Sequence, residues 1–330
     1  MSELYNLITS RENLYKAAKR ALKGKLSNAR FYSYSVNLNN NIEYLYKQIQ
    51  KGTYRPHSNK EFDLWCISGQ KVRHIVAPSI DDLIVQHAIY QVIVPIIDPK
   101  LIYDSYGCRI LKGSHKASDR CQYFLRKSPK DSYFLQLDIK KYYYNLDHTI
   151  LKEALLHLLG EQDVVDFIAL QFPQDKAVGM NVGAMISQLM GMIYLNKFDQ
   201  YCKRVLKLKH IIRYVDDIVI IGLSKEKCLT LARVIEQYLK TELKLSFSKV
   251  KILPISKGIN FVGYRTWQQK RTIRKRSYKV FNKNLKKNKI DSLQSCLGHA
   301  SKTSSYGTLI RKIKAKRPHL LSLLTIQKVS

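Results

Sequence analysis

The spacing of apolar positions changes along the chain, and each change marks an element. Tyr133–Ile139 (YFLQLDI) is an apolar run with an acid near its end, which predicts a buried strand. Asp147 precedes Ile150, Leu151, Ala154, Leu155 and Leu158, the pattern of a capped helix running to Gly160. Ser187–Val205 reads as a longer helix. His210–Tyr214 and Ile218–Ile221 are β-prone runs meeting at Val215-Asp216-Asp217, a hairpin with two carboxylates at its tip. Ser224–Leu243 places Cys228, Leu231, Ile235, Tyr238 and Leu239 on one helical face. Phe261–Tyr264 reads as a short aromatic strand. Helices and strands mix without a regular βαβ repeat, so the expected class is α+β rather than a doubly wound sheet.

The most apolar stretch, Ile89–Ile97, is short and contains Pro95, so no membrane span is expected. The opening MSELYNLITS lacks a basic region followed by an apolar run. The expectation is a soluble, cytoplasmic protein. The 330 residues are 45% hydrophobic, which predicts a folded chain with two or three small domains.

Charge narrows the function. Lys+Arg 57 against Asp+Glu 25 leaves +32. That surplus points to a polyanionic partner, because each cation beside a phosphate backbone releases condensed counterions. A ribosome-like or membrane-surface protein is the plain alternative. An enzyme of small acidic metabolites is disfavoured. Arg265–Ser330 alone holds 18 Lys/Arg against one acid, Asp291, so a basic C-terminal domain is expected beyond Tyr264–Trp267. The six cysteines form no CxxC pair and no His clusters beside them, so neither zinc nor a disulfide framework is expected.

The sharpest feature is RYVDDIVIIG, Arg213–Gly222. Adjacent Asp residues flanked by β-branched apolar residues are costly in a sheet unless something cationic neutralises them. Asp138 ends another apolar strand; if that strand lies beside the hairpin, Asp138, Asp216 and Asp217 converge. Hard oxygen ligands on a sheet suit Mg²⁺, which completes its shell with water and substrate phosphates. Two such ions can activate a 3′-hydroxyl and stabilise departing pyrophosphate. The competing reading is an ordinary Asp-Asp turn.

Seven ordered blocks across roughly 53–264 resemble the reverse transcriptase family. The hairpin is similar to its Tyr-x-Asp-Asp box, and LQLDIKKYYYNLDH (135–148) to its first palm motif. KVRHIVAPSIDDLIVQHAI (71–89) and SYGCRILKGSHKA (105–117) resemble the fingers blocks. VGAMISQ (182–188), LSFSKVKI (245–252) and INFVGY (259–264) resemble the remaining palm blocks. Within the family, Val182-Gly183 followed by Ser187-Gln188, the run Gly258–Trp267 and SCLGHA (295–300) resemble the diversity-generating retroelement enzymes. Asn181 stands where Pro is common, and Tyr142-Tyr143 replace the usual Phe pair.

The resemblance implies a right-hand fingers–palm–thumb polymerase. Its palm would be antiparallel strands backed by helices, its thumb basic and helical. The divisions would be an N-terminal helical extension at 1–52, fingers and palm at 53–264, and a thumb at 265–330. It implies RNA-directed DNA synthesis with dNTPs and two Mg²⁺ ions, Mn²⁺ being a substitute. Asp138, Asp216 and Asp217 would be catalytic and hold the metal with the Ile139 carbonyl. Tyr143 resembles the gate that excludes a ribose 2′-hydroxyl; its competing reading is a core aromatic, and at least one of Tyr142, Tyr143 and Tyr144 should be core. Arg73 resembles the cation that grips the triphosphate, with Lys71 beside it. Gln188 resembles the residue that touches the sugar or base pair. Lys249 is a candidate proton donor to pyrophosphate or a phosphate binder.

Arg109 would contact template or primer, or brace the fingers. Val182 would tune base selectivity or is plain core, and Gly183 would let the backbone approach the template. Tyr214 accompanies the carboxylates toward the template and primer. Phe261, Gly263 and Tyr264 resemble the strand that carries the primer, or are plain core. KRTIRKRSYKVFNKNLKKNK (270–289) suits a helix along a duplex backbone.

The implied partners are an RNA template, an RNA–DNA duplex and a small basic oligomeric accessory protein. The implied setting is a bacterium, archaeon or phage, with error-prone copying of a template repeat. Rival readings are a related antiphage defence reverse transcriptase, an RNA-directed RNA polymerase, and a non-catalytic RNA-binding scaffold.

Overall fold

A computed structural model describes residues 1–56, 60–66 and 71–325. Four helices open the chain: α1 (Glu3–Thr9), α2 (Arg11–Leu22), α3 (Ala29–Val36) and α4 (Leu38–Gln50). The hairpin β1 (Lys60–Cys66) and β2 (Lys71–Ala77) leads into α5 (Ile80–Ile97). Then come α6 (Ser114–Lys127), β3 (Tyr133–Ile139), α7 (His148–Leu159), α8 (Gln162–Ala169), α9 (Met185–Tyr194) and α10 (Asn196–Gln200). The next stretch holds β4 (Ile211–Tyr214), β5 (Asp217–Leu223), α11 (Lys225–Leu243) and β6 (Phe247–Pro254). β7 (Ile259–Phe261), β8 (Tyr264–Thr266) and β9 (Arg271–Ile273) precede α12 (Lys275–Lys286), α13 (Ile290–Ala300) and α14 (Tyr306–Lys316).

Two compact units share these elements. Unit 1 holds Met1–Ile102, Lys140–Leu206 and Tyr238–Ser246; unit 2 holds Tyr103–Ile139, Lys207–Gln237 and Phe247–Ser330. The units do not follow the linear divisions read from the sequence: residues 53–264 contribute to both, and an edge at 264/265 falls inside β8.

In unit 1, Ser79 caps α5 by accepting from the Asp82 N–H (3.0 Å), and Asp81 and Asp82 complement the dipole of its first turn. The apolar run Ile89–Ile97 is therefore the second half of an 18-residue helix, not a short isolated stretch. Among the described residues this helix alone is long and apolar enough to cross a membrane. Ile84, Val85, Ala88, Ile89 and Ile93 are buried within the fold, the behaviour of a core helix. Asp147 caps α7 as expected, accepting from Thr149 N–H and Ile150 N–H, and Gly160 ends it in the left-handed conformation. The expected helix Ser187–Val205 is instead three pieces. At Leu195 ψ is 2°, which interrupts the ladder between α9 and α10, and a π-turn follows at Tyr201–Val205.

In unit 2 the sheet order is β4-β5-β3-β6, every pair antiparallel. Ala117, Cys121, Phe124 and Leu125 of α6 pack with Phe134, Ile212, Val219 and Ile221 of the sheet into one core. Leu135, Leu137, Ile218 and Ile220, on the opposite face, are buried too, which is why β3 and β5 read as continuous apolar runs rather than alternating ones. A second core joins α12, α13 and α14 through Phe281, Leu285, Leu293, Leu297, Leu309 and Ile313. That apolar seam lets the other faces of these helices carry the C-terminal cations in water.

Candidate active site

The carboxylates meet because of strand register. β3 pairs with β5 so that Asp138 lies directly opposite Asp217, and with β6 so that Asp138 also faces Lys249. Paired residues of an antiparallel sheet project to the same face. One row of that face therefore reads Asp217–Asp138–Lys249. Two residues along β3, Gln136 stands opposite Lys251 and donates from Nε2 to Asp217 Oδ1 (2.9 Å) and to the Asn260 carbonyl (2.9 Å). Ser248 Oγ donates to Asp138 Oδ1 and to the Asp138 carbonyl.

The tip of the hairpin is tighter than the sequence implied. Val215 and Asp216 form the turn, while Asp217 already belongs to β5. Val215 has φ +58°, a left-handed conformation that costs a β-branched residue about 1–2 kcal/mol. Its surroundings hold it there. Arg213, only 1% exposed, donates from Nη1 to the Val215 carbonyl (3.0 Å). Tyr106 N–H donates to the Arg213 carbonyl, and Arg213 N–H to the Asp104 carbonyl. A Cβ on Gly107 would stand 2.5 Å from Val215 Cγ2 and 2.7 Å from Val215 N. The glycine of the SYG run is thus the floor under the turn. Beyond the turn, the Asp216 carbonyl accepts from Ile139 N–H (3.2 Å), which ties it to the end of β3.

Asp138, Asp217 and Gln136 line an open pocket of about 410 Å³. Lys249 and Lys251 of β6, Asn260 of β7, and Arg265, Arg274, Lys275 and Arg276 complete its wall. Burial pushes the Asp217 carboxyl up to about 7; Asp138 and Asp216 push the same way, against the Gln136 hydrogen bond and the Arg274 charge. Such an acid is short of positive charge. Among the described residues no three acidic, His or Cys side chains enclose an ion on their own. That donor set fits Mg²⁺, which binds through one or two carboxylates and takes the rest of its shell from water and substrate phosphates.

The expected aromatic strand Phe261–Tyr264 is a hairpin. Val262 (φ +43°) and Gly263 (φ +91°) turn the chain between β7 and β8, since a two-residue loop in this hand needs left-handed residues. Phe261 and Tyr264 are buried, so their side chains serve the core. The Tyr264 hydroxyl is held by His115 Nδ1 (3.2 Å) and His299 Nδ1 (3.0 Å), and donates to the His299 carbonyl (2.9 Å). The His299 ring stacks on Tyr264 and would sit 2.9 Å from a Cβ at Gly263. Burial lowers the His299 imidazole, against the Gly263 carbonyl, and His115 and Arg274 add to the lowering. The glycine is required by close approach of α13.

Tyr214 is half-buried and lies opposite Asp217 in the β4–β5 pairing. Arg109 donates to the Ser105 carbonyl (3.0 Å), which braces its own loop.

In unit 1, Tyr142 is the core aromatic of the three consecutive tyrosines: it is buried and its hydroxyl donates to the Gly191 carbonyl. Tyr143 is half-exposed and packs over Gly191. Gln188 is exposed on α9. Gly183 has φ +109°, and a Cβ there would meet Ile75 Cγ2 at 2.8 Å; the Val182 carbonyl accepts from Val76 N–H (3.1 Å). Val182 and Gly183 therefore pack on β2. Arg73 is exposed on β2, opposite Leu64. Lys71 opens β2, and its side chain lies outside the described residues. The start of α9 is fixed by a buried relay: Tyr54 donates to Asp82, Gln171 to Tyr54, Gln86 to Gln171, and Ile186 N–H to Gln86.

Sequence reasoning missed Gln136, Lys251, Asn260 and Arg274. The first two carried a signal: Gln136 and Lys251 stand two residues from Asp138 and Lys249, the period of one strand face. Asn260 and Arg274 carried none, because only the fold brings them to the carboxylates.

Comparison with known proteins agrees with this geometry. Residues 47–266 match the family model described as reverse transcriptase (RNA-dependent DNA polymerase). Protein YkfC of Escherichia coli (strain K12) is 25% identical over 333 residues, covering 84% of this chain and 84% of its own length. Telomerase from Candida albicans, solved in complex with a TWJ fragment of telomeric RNA, superposes with a TM-score of 0.52 at 12% identity. That match covers 83% of this chain, which spans 56% of the telomerase chain. The fold is that of the fingers–palm–thumb polymerases, with mixed helices and antiparallel sheets.

Proposed function

The chain belongs to the reverse transcriptase (RNA-dependent DNA polymerase) family and is an RNA-directed DNA polymerase, and from that premise we propose that it makes cDNA by two-metal nucleotidyl transfer at Asp138, Asp216 and Asp217. The observation that carries the mechanism is the Asp138–Asp217 register, with Asp217 half-buried and short of positive charge. Asp138, Asp216 and Asp217 would hold Mg²⁺ or Mn²⁺, with the Ile139 carbonyl. Ions held there would supply Lewis-acid polarisation of the attacking 3′-oxygen and the departing pyrophosphate. The chain's own groups do the rest. Gln136 fixes the Asp217 carboxylate, and Arg213 with Gly107 fixes the turn. Lys249, exposed beside Asp138, is placed to meet phosphate oxygens or to hand a proton to pyrophosphate. Tyr143 screens the sugar. Arg73 and Gln188, both exposed, receive the nucleotide.

The finer role we propose is error-prone copying of a template repeat in a diversity-generating retroelement, in the cytoplasm and with a small basic accessory protein. Val182-Gly183 and Ser187-Gln188 support it. The experiment is to purify the chain from its host, sequence the bound RNA, and supply dNTPs and Mg²⁺. Products templated by a repeat and altered at adenines support this role. Faithful cDNA from another RNA favours the defence reading, and bound RNA with no product from any primer favours the scaffold.

A further inference from the structure

Helix α9 begins without a capping side chain of its own. Its N-cap is Ala184, which offers no acceptor, although the first N–H groups of a helix need one. The acceptor comes from α5 instead: Ile186 N–H donates to Gln86 Oε1 (3.4 Å). Gln86 Nε2 in turn donates to Gln171 Oε1 (3.3 Å). Gln171 Nε2 donates to the Tyr54 hydroxyl (3.0 Å), which donates to Asp82 Oδ1 (2.7 Å). Asp82 and Gln86 stand one turn apart on α5, so the relay leaves that helix and returns to it.

The relay has a fixed direction. A carboxylate accepts at one end and a backbone N–H donates at the other, so each amide between them has one orientation. Burial, reinforced by Asp82, pushes the Tyr54 hydroxyl up, which keeps it a donor. All four side chains are buried. Polar groups in such a place carry a desolvation cost that apolar packing would not, and what a fully paired network adds is a single defined arrangement. Here the thing defined is the start of α9. Ser187 Oγ donates to the Asn181 carbonyl (2.7 Å), and the Val182 carbonyl accepts from Val76 N–H (3.1 Å), so the 181–184 loop, α9 and β2 hold one another. That body exposes Gln188 of α9 and Arg73 of β2. Tyr143 packs over Gly191, three residues beyond Gln188 on the same helix.

We infer that Gln86 is a positioning residue for the incoming nucleotide: by capping α9 from α5 it sets the register of Val182 and Gln188 against β2, and with it dNTP affinity and base selection. This rests on the polymerase reading above, in which these surfaces receive the nucleotide. Gln86 itself touches no substrate. It acts through Gln188 and the loop before α9.

The test is single-nucleotide extension on an RNA template, with kcat and KM for matched and mismatched dNTPs measured separately. Gln86→Leu leaves Ile186 N–H without its acceptor. It should raise KM for the matched dNTP about tenfold or more, keep kcat within about threefold, and lower the matched-over-mismatched ratio of kcat/KM. In a Gln188→Ala background the same change should add less than about threefold, because the residue it positions is gone. Ile89→Ala, buried on the same helix and outside the relay, supplies a loss of stability without that effect on KM. Thermal melts compare the variants. If Gln86→Leu does not fold, Tyr54→Phe decides: it keeps the ring, removes only the hydroxyl, and should raise dNTP KM about threefold or more. A folded Gln86→Leu with wild-type KM, an equal rise in Ile89→Ala, full additivity with Gln188→Ala, or an unchanged KM in Tyr54→Phe overturns the proposal. Absence of extension by wild type on any primer overturns the polymerase reading instead.

Discussion

Asp138 of β3 and Asp217 of β5 sit directly opposite one another in an antiparallel pair, and no basic side chain stands between them in that register. Like charges so placed repel, and burial adds to the cost of ionising Asp217, whose carboxyl is pushed up to about 7. The arrangement is poor for folding and good for holding a cation. Stability is set aside at this point of the sheet for the reaction.

That arrangement fixes the sign of a pH effect. Without metal, Asp217 binds its proton more tightly folded than unfolded, where 3.8 is its ordinary value. Between the two values the folded chain holds more protons, so stability falls as pH rises through this window. Asp217→Asn removes the effect while keeping an acceptor for Gln136. The metal-free variant is expected to be more stable than wild type by roughly 1–4 kcal/mol at pH 8, with the difference gone near pH 3. Denaturant melts at both pH values check this. Added Mg²⁺ should stabilise wild type and leave Asp217→Asn nearly unchanged.

Gly107 and Gly298 make a matched pair. A methyl at 107 collides with Val215 backbone and side chain, whereas one at 298 meets nothing within 4 Å. Gly107→Ala should cost about 1–3 kcal/mol and slow extension by displacing the turn. Gly298→Ala, within a helix, should be neutral or stabilising by up to about 1 kcal/mol. Thermal melts and extension rates on both variants separate the turn from a general effect of adding a methyl.

The adjacent tyrosines predict opposite behaviour. Tyr142 is core and hydrogen-bonded, so Tyr142→Ala should cost about 3–5 kcal/mol without changing sugar preference. Tyr143→Ala should leave stability nearly intact and raise rNTP incorporation relative to dNTP. A stable Tyr143→Ala enzyme with unchanged preference places the gate elsewhere.

Gln136→Leu removes both donated bonds and leaves the Asp217 carboxylate and the Asn260 carbonyl without that partner. Activity should fall about 10–100-fold with little change in primer affinity, as when a supporting shell is lost. Steady-state kinetics with separate kcat and KM for the primer decide it.

Much of this was readable in residue order. The Asp138 strand, the Val215–Asp217 hairpin and the Asp147 cap each follow from local chemistry that the fold preserves. The breaks in pattern were less readable. Val262-Gly263 was missed as a turn because Val at φ +43° contradicts local preference and is held by the neighbouring strands and α13. The interruption at Leu195 is marked only by Asn196-Lys197, polar residues that an amphipathic helix carries as well. Nothing in residue order marks Arg213 for the role that its buried side chain has in holding the turn. Arg274 is one of many cations in a basic tail, and only the route from β9 to α12 distinguishes it.

The most direct measurement is single-turnover extension of a DNA primer on an RNA template with dNTPs and Mg²⁺, comparing wild type with Asp138→Asn and Asp216→Asn. Wild type should add nucleotides complementary to the RNA, and each variant should bind the duplex normally while extending at least about a thousandfold more slowly. Extension by either variant at near wild-type rate would contradict the account, because the reaction would then proceed without a carboxylate to which the metal-ion chemistry is assigned.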